Sequence, residues 1–357
     1  MMGRKPLGRK KSLALRRQGL AALLADVRQL IAEARAGVAR AVDAGLTTLY
    51  WHVGQRIRQD ILKQKRAGYG EQIVSALSAQ LEQEFGRGFG EKNLRRMIQF
   101  AEAYPDREIV VSLLRQLGWT HFLRLIPIDD PLKRDFYAEM CRVENWSTRT
   151  LQQKIQSMLY ERTALSRKPD KLIRQELRQL REEDKVTPDL VFRDPYILDF
   201  LGLKDAYAEK DLEAAILREI ESFILELGVG FCFVARQQRM QIDDRDYYLD
   251  LLFYHRKLRR LIAIDLKLGQ FEAADKGQME LYLGWLKRNA VEPEEAAPLG
   301  MILCAGKSTE HIALLELEKS GIHVASYWTE LLPKKELERK LHEAVRLARS
   351  RFAMAKG

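Results

Sequence analysis

Residues 246–270 read DYYLDLLFYHRKLRRLIAIDLKLGQ. Two apolar runs flank a basic turn, which predicts a β-hairpin. Each run carries an acid near its middle, Asp250 and Asp265, and the second adds Lys267. Alternation puts Tyr248, Asp250, Leu252 and Tyr254 on one face of the first strand. It puts Ala263, Asp265 and Lys267 on one face of the second. With the turn centred between Lys257 and Leu258, antiparallel partners have numbers of constant sum, and Asp250 falls opposite Asp265. Like charges directly opposed destabilise a sheet, and without water one of the pair would keep its proton. A divalent cation removes the conflict, and an all-oxygen ligand set suits Mg²⁺ or Mn²⁺. Lys267, two residues past Asp265, points to the same place and is able to hold a water or a phosphate oxygen there. The competing reading is a solvated sheet face with scattered charges. The Leu, Ile, Ala, Tyr and Phe residues around the acids argue against it.

The rest of the chain sets the context. With 357 residues it is long enough for two domains. It is 46% hydrophobic and 31% charged, with a formal net charge of +10, a balance that favours an acidic partner such as nucleic acid. Its three cysteines, Cys141, Cys232 and Cys304, form no CxxC pair, which excludes a disulfide framework. Buried, reduced thiols and a cytoplasmic location are expected. No run is apolar enough to span a bilayer, and MMGRKPLGRKKSLALRR has no apolar signal core, so no membrane is expected as a partner.

Periodicity divides the chain. Residues 1–18 are expected to be a basic disordered tail and 19–163 an all-helical domain. In it LAALLADVRQLIAEARAGVARAVDAG and TTLYWHVGQRIRQDILKQKRAGYG read as two long helices. Ser147 is the expected cap of the helix that follows it. Residues 164–187 read as a charged linker helix, 188–345 as the second domain and 346–357 as a tail. The second domain runs α-β-β-β-α-β-α-β, which predicts a mixed β-sheet flanked by helices. The fold class is thus α + α/β.

The strand carrying Asp250, followed by Asp265-Leu266-Lys267, resembles the PD-(D/E)XK nuclease signature, with Leu249 where a proline is usual. Gln278-Met279-Glu280-Leu281-Tyr282 resembles the QxxxY helix motif of one branch of that superfamily. The segments LYWHVGQRI, FLGL, LEAAILREIESFILELGVGF, DLLFYHRKLRRLIAIDLKLGQF and MILCAGKS are similar to the YhcG family of bacterial nucleases, over about residues 25 to 340. The resemblance implies a restriction-endonuclease-like second domain that hydrolyses phosphodiester bonds, most readily in DNA, with Mg²⁺ or Mn²⁺. It implies catalytic roles for Asp250, Asp265, Lys267, Gln278 and Tyr282. It also calls for an acid on the helix before the first core strand. Glu213 is the choice, since it lies within the apolar arc of LEAAILREIESFILELG, where an acid needs a partner. Asp250, Asp265 and Glu213 are then the metal ligands.

Arg236, Gln237 and Arg239, at the end of the strand before the hairpin, are expected to contact nucleic acid. His255 is expected to be exposed in the turn, and Trp51 to be core. In the helical half, SALSAQLEQEFGRGFGEKNLRRMIQF resembles a helix-turn-helix with a long turn, which would put Lys92, Asn93, Arg95 and Arg96 at the reading helix. An ordinary helical hairpin with a solvated basic face fits the same pattern. A non-catalytic nucleic-acid-binding or assembly module on a nuclease fold, and an RNA nuclease, are the rival functions. A homodimer is the arrangement that cutting both strands would favour, although no residue fixes the oligomeric state.

Overall fold

The computed structural model describes residues 8–63, 69–163, 168–203, 207–330 and 333–354. Two compact units divide between Pro131 and Leu132. The first contains five helices among the described residues: α1 (Gly8–Lys63), α2 (Tyr69–Phe85), α3 (Glu91–Ala103), α4 (Arg107–Leu113) and α5 (Trp119–Leu125). Ile57, Val74, Leu94 and Met97 form a core between α1, α2 and α3. Gly54 permits the tight crossing of α1 and α3, because a Cβ there would lie 1.9 Å from the carbonyl oxygen of Met97. Trp51 is buried, as expected, and donates from Nε1 to the Tyr104 carbonyl at 2.8 Å.

The second unit holds a six-stranded sheet: β1 (Tyr196–Ile197), β2 (Phe231–Ile242), β3 (Arg245–His255), β4 (Arg260–Gln270), β5 (Leu299–Gly306) and β6 (Ile322–Trp328). The order across it is β1-β6-β5-β4-β3-β2. The pairs β2–β3 and β3–β4 are antiparallel, and β4–β5, β5–β6 and β6–β1 are parallel. The sheet is therefore mixed, as expected. Helices α6 (Pro131–Glu144), α7 (Thr148–Gln156), α8 (Leu159–Arg162), α9 (Asp170–Glu183) and α10 (Pro188–Val191) precede the sheet or its first strand. Then come α11 (Glu209–Arg218), α12 (Ile220–Leu227), α13 (Ala273–Asn289), α14 (Thr309–Leu314) and α15 (Lys334–Met354). On one face of the sheet Leu212, Ile216, Phe223 and Leu227 of α11 and α12 pack against Leu251, Phe253, Ile262, Ile264 and Met301. On the other, Met279, Tyr282, Leu283 and Leu286 of α13 cover Leu249, Leu252, Ala263, Ile302 and Cys304. This is apolar burial on both faces of a central sheet.

Several sequence expectations need correction. The two long N-terminal helices are one helix, α1, which runs through Gly37 and Gly45. It starts at Gly8, so residues 8–18 are helical, while 1–7 lie outside the described residues. By contact, residues 132–163 fall in the compact unit that holds the sheet, a division different from the expected one at 163. The charged stretch expected to be a linker helix is helical in α9 as expected, but α9 is no solvated linker: it buries Ile173, Leu177 and Leu180 at helical spacing. The single helix expected over LEAAILREIESFILELG breaks at Glu219 into α11 and α12. The expected tail from 346 continues α15 to Met354. Cys141 and Cys304 are buried, but Cys232 is exposed on β2, an edge strand. Ser147 caps α7 as expected, its hydroxyl accepting from Thr150 N at 3.1 Å.

Candidate active site

The β3–β4 register is the expected one. Leu251 pairs with Ile264, and the ladder continues to His255 with Arg260 around a four-residue turn. One step beyond its last regular pair stand Asp250 and Asp265. There the Asp250 side chain takes over part of the ladder's work, with Oδ2 accepting from Leu266 N at 2.8 Å. Asp265 is 3% exposed. Lys267 Nζ lies 3.0 Å from Asp265 Oδ2, but that oxygen has no hydrogen-bond partner of adequate geometry. The two aspartates are set by the pleat of two neighbouring strands, the most rigid support a sheet offers.

From this pair a continuous network runs both ways. Lys267 Nζ also donates to Gln278 Oε1 at 3.3 Å. Gln278 Nε2 donates to the Tyr282 hydroxyl at 2.6 Å, and that hydroxyl donates to the Tyr248 carbonyl at 3.1 Å. Gln278 and Tyr282 meet because they lie four apart on α13. Helix α13 sits low on the sheet at Gly300, where a Cβ would come within 2.6 Å of Met279. On the other side Gln237 Nε2 donates to Asp250 Oδ1 at 3.1 Å and to Glu213 Oε2 at 2.9 Å. Seven predicted residues, Glu213, Gln237, Asp250, Asp265, Lys267, Gln278 and Tyr282, thus form one cluster.

The electrostatics follow from burial and from acid crowding. Burial pushes the Asp265 carboxyl up to about 6; Lys267 opposes the shift and Asp250 adds to it. Glu213 is raised by burial and then by Asp250, against the Gln237 hydrogen bond and Arg236. Burial alone would lower Lys267, yet Asp265, Asp275 and Glu209 outweigh it and hold the ammonium above its ordinary value. Lys267 is therefore a cation at neutral pH and a donor, with no free lone pair to serve as a base.

The remaining predicted residues stand apart from the cluster. Arg236 is exposed on β2, and Arg239 is paired with Asp246 at 2.9 Å. Lys92, Arg95 and Arg96 lie on the first turns of α3 in the other unit, after a 3₁₀ turn at Arg87–Phe89; Arg95 is held by Glu91 at 2.7 Å. Asn93 donates to the Gly88 carbonyl at 3.3 Å. His255 is buried, against expectation. Its Nδ1 accepts from Leu258 N at 3.1 Å, and burial drives its pKa down to about 4. Two acids near the cluster were not anticipated. Glu209, one helical turn before Glu213, accepts from Leu268 N at 3.3 Å, a spacing that could have revealed it. Asp275 caps the start of α13 through Glu272 N at 2.8 Å.

The donor set suits a hard cation. Glu213, Asp250 and Asp265 supply only carboxylate oxygens, and Oδ2 of Asp265, buried with the Lys267 ion pair but no well-formed hydrogen bond, is the kind of atom that suits one. Among the described residues, however, no three His, Cys, Asp or Glu side chains already stand together as ligands would.

The sheet unit is a nuclease domain by family. Residues 189–342 match the family model described as the YhcG PDDEXK nuclease domain, and residues 26–162 match the DUF1016 N-terminal domain. Protein YhcG of Escherichia coli (strain K12) is 35% identical over 344 residues, covering 87% of this chain and 91% of that one. The chain belongs to the YhcG family. Among solved structures, a repair endonuclease from Pyrococcus abyssi matches 36% of this chain and 50% of its own, at 21% identity and a TM-score of 0.25. The EndoMS–dsDNA2 complex matches 36% and 49%, at 18% identity and a TM-score of 0.27. This chain spans about half the length of each of those solved chains. The N-terminal family match ends at 162, close to the boundary expected from periodicity, whereas the compact unit ends at Pro131. No helix among the described residues is long and apolar enough to cross a membrane.

Proposed function

We propose that this protein is a metal-dependent nuclease that hydrolyses phosphodiester bonds in DNA. The observation that carries the reading is Asp250 and Asp265 side by side at the end of the β3–β4 ladder, the second buried, beside a lysine held in its charged form. Asp250, Asp265 and Glu213 would hold Mg²⁺ or Mn²⁺. A bound divalent cation supplies Lewis-acid stabilisation of the phosphate and a more acidic water.

The chain's own groups do the rest. Lys267 presents an ammonium to the charge that develops on the phosphate and orients the attacking water. Gln278 holds that ammonium together with Asp265, and Tyr282 fixes Gln278 against the β3 backbone. Preorganisation of this kind requires no rearrangement as charge builds. DNA as substrate follows the family and the net charge of +10. Lys92, Arg95 and Arg96 on α3, and Arg236 and Arg239 on β2, are the proposed phosphate contacts, with the helical unit aiding binding or targeting. The cytoplasm is the proposed compartment.

The test is cleavage of labelled duplex, single-stranded, nicked, forked and four-way DNAs, and of RNAs, with Mg²⁺, Mn²⁺ or EDTA. Cutting that needs the cation and is lost in Asp265→Ala and Lys267→Ala is expected. Binding of every substrate without cutting would favour a non-catalytic module, and cutting of RNA alone would overturn the substrate.

A further inference from the structure

Gln237 occupies an unusual place. The pairs Arg236 with Leu251 and Gln238 with Leu249 bracket it, so it falls across from Asp250, which itself stands one step beyond the last β3–β4 pair. Its φ is +45°, in the left-handed region that non-glycine residues rarely adopt. From there one amide nitrogen reaches two carboxylates, Glu213 on α11 and Asp250 on β3, at 2.9 and 3.1 Å. A carboxamide NH₂ has two hydrogens to give, so a single nitrogen is able to serve both acids.

That nitrogen stands where a cation shared by the two carboxylates would stand. Magnesium–oxygen contacts run at about 2.0–2.1 Å, shorter than either amide contact. Glu213 and Asp250 are thus aimed at a common point but spread for an amide, which accounts for the absence of a ready three-acid cluster among the described residues.

We propose that the Gln237 amide is a placeholder for the divalent cation. It holds Glu213 and Asp250 facing each other while the cation is absent, and it turns aside as the cation draws both carboxylates inward. This rests on the metal centre proposed above. It makes Gln237 a positioning residue that acts through Glu213 and Asp250, in place of the nucleic-acid contact expected from sequence. The strained backbone fits the role, since it places the amide between the acids at a position where an ordinary strand residue would direct it elsewhere.

The experiment is calorimetric titration of the full-length protein with MnCl₂, together with thermal unfolding with and without Mn²⁺. Wild type, Gln237→Met, Gln237→Gly and Asp265→Ala are compared. Wild type binds Mn²⁺ and Asp265→Ala does not. Gln237→Met binds about ten-fold more tightly, because the cation no longer displaces charge-assisted hydrogen bonds. Its metal-free melting temperature falls by about 2–4 °C and recovers with Mn²⁺, a pattern that a merely structural glutamine would not give. Gln237→Gly, which suits a positive φ, shows the same tightening and guards against misfolding of the methionine variant. Mn²⁺ binding in both Gln237 variants that is equal to or weaker than wild type, with Asp265→Ala still dead to the metal, overturns the placeholder and leaves the metal centre standing. No binding by wild type, or unchanged binding by Asp265→Ala, overturns the metal centre and the placeholder with it.

Discussion

The sheet unit buries two clusters of charge, and they are built on opposite rules. In the first, Arg162 is 1% exposed and donates from Nη2 to Glu226 Oε1, from Nε to the Pro195 carbonyl at 3.0 Å, and from Nη1 to the Ser157 carbonyl at 3.3 Å. Glu226 Oε1 also accepts from Ile197 N at 2.9 Å, and its Oε2 lies 3.5 Å from Arg193. Two guanidinium groups share one carboxylate, backbone carbonyls take up further guanidinium N–H groups, and the cluster ties α8, α12 and β1 together. In the second, Asp265 pairs with Lys267 while Asp250 and Glu213 share the Gln237 amide, and Asp265 Oδ2 has that ion pair without a hydrogen bond of good geometry. A buried charge with all its partners stabilises a fold; a buried charge missing one stores a demand that a ligand is able to meet. The difference separates a structural clamp from a working site without reference to any motif.

The contrast breaks first at Glu226. Glu226→Gln leaves two buried guanidinium groups facing a neutral amide, and urea denaturation should show a loss of about 3–5 kcal/mol. A loss near zero would mean that the clamp is not structural. Next, Lys267→Met should lower the rate of DNA cleavage at saturating substrate by about 10²–10³-fold, and should also lower the urea midpoint at neutral pH, because buried Asp265 loses its cation. A rate within a few-fold of wild type would remove Lys267 from the chemistry.

Asp265→Asn sharpens the contrast with an opposite sign. The native carboxyl titrates near 6, above its ordinary value of 3.8, so the native state holds the extra proton between these values. Stability contributed by this group is present below the lower value and is lost as pH rises through the upper one. In EDTA at pH 7.5 the variant should therefore be more stable than wild type by about 1–2 kcal/mol, part of the gain being offset because Lys267 loses its partner. The gap should close toward pH 4. Parallel curves across that range would show that Asp265 carries no burial penalty. The smallest effect belongs to Tyr282→Phe, which removes the hydroxyl between Gln278 and the Tyr248 carbonyl and should cost about 1 kcal/mol by the same denaturation.

Much of the second cluster was legible in the sequence because a hairpin is a local object. A four-residue turn fixes the register, and the register alone brings Asp250 opposite Asp265. Gln278 and Tyr282 follow from the resemblance to the QxxxY motif and Glu213 from the further acid that the resemblance calls for; helical spacing then allows each to face the site. Interactions made by backbone groups and distant side chains were harder to see. His255 sits in a basic turn and looks exposed, but its ring is folded in to accept from Leu258 N. Residues 164–187 look like a linker because charges surround Ile173, Leu177 and Leu180, which only the tertiary packing shows to be a buried stripe. Gln237 looked like a strand-end polar group; its positive φ, which no residue type announces, turns it into the site. The clamp around Glu226 joins residues from three separate segments and has no sequence signature at all.

The position of the acids within the sheet also bears on the order in which the domain assembles. Strands β2, β3 and β4 follow one another through turns at Asp243–Asp244 and Arg256–Arg259 and pair antiparallel, whereas β1 must wait for Tyr196 to meet Tyr327 of β6. Short loops close at a lower entropy cost and sooner than long ones. The meander therefore forms early, and it already brings Asp250, Asp265 and Gln237 together. The nascent domain meets its own charge repulsion before most of its core exists, and the residue that relieves part of it arrives on the same three strands.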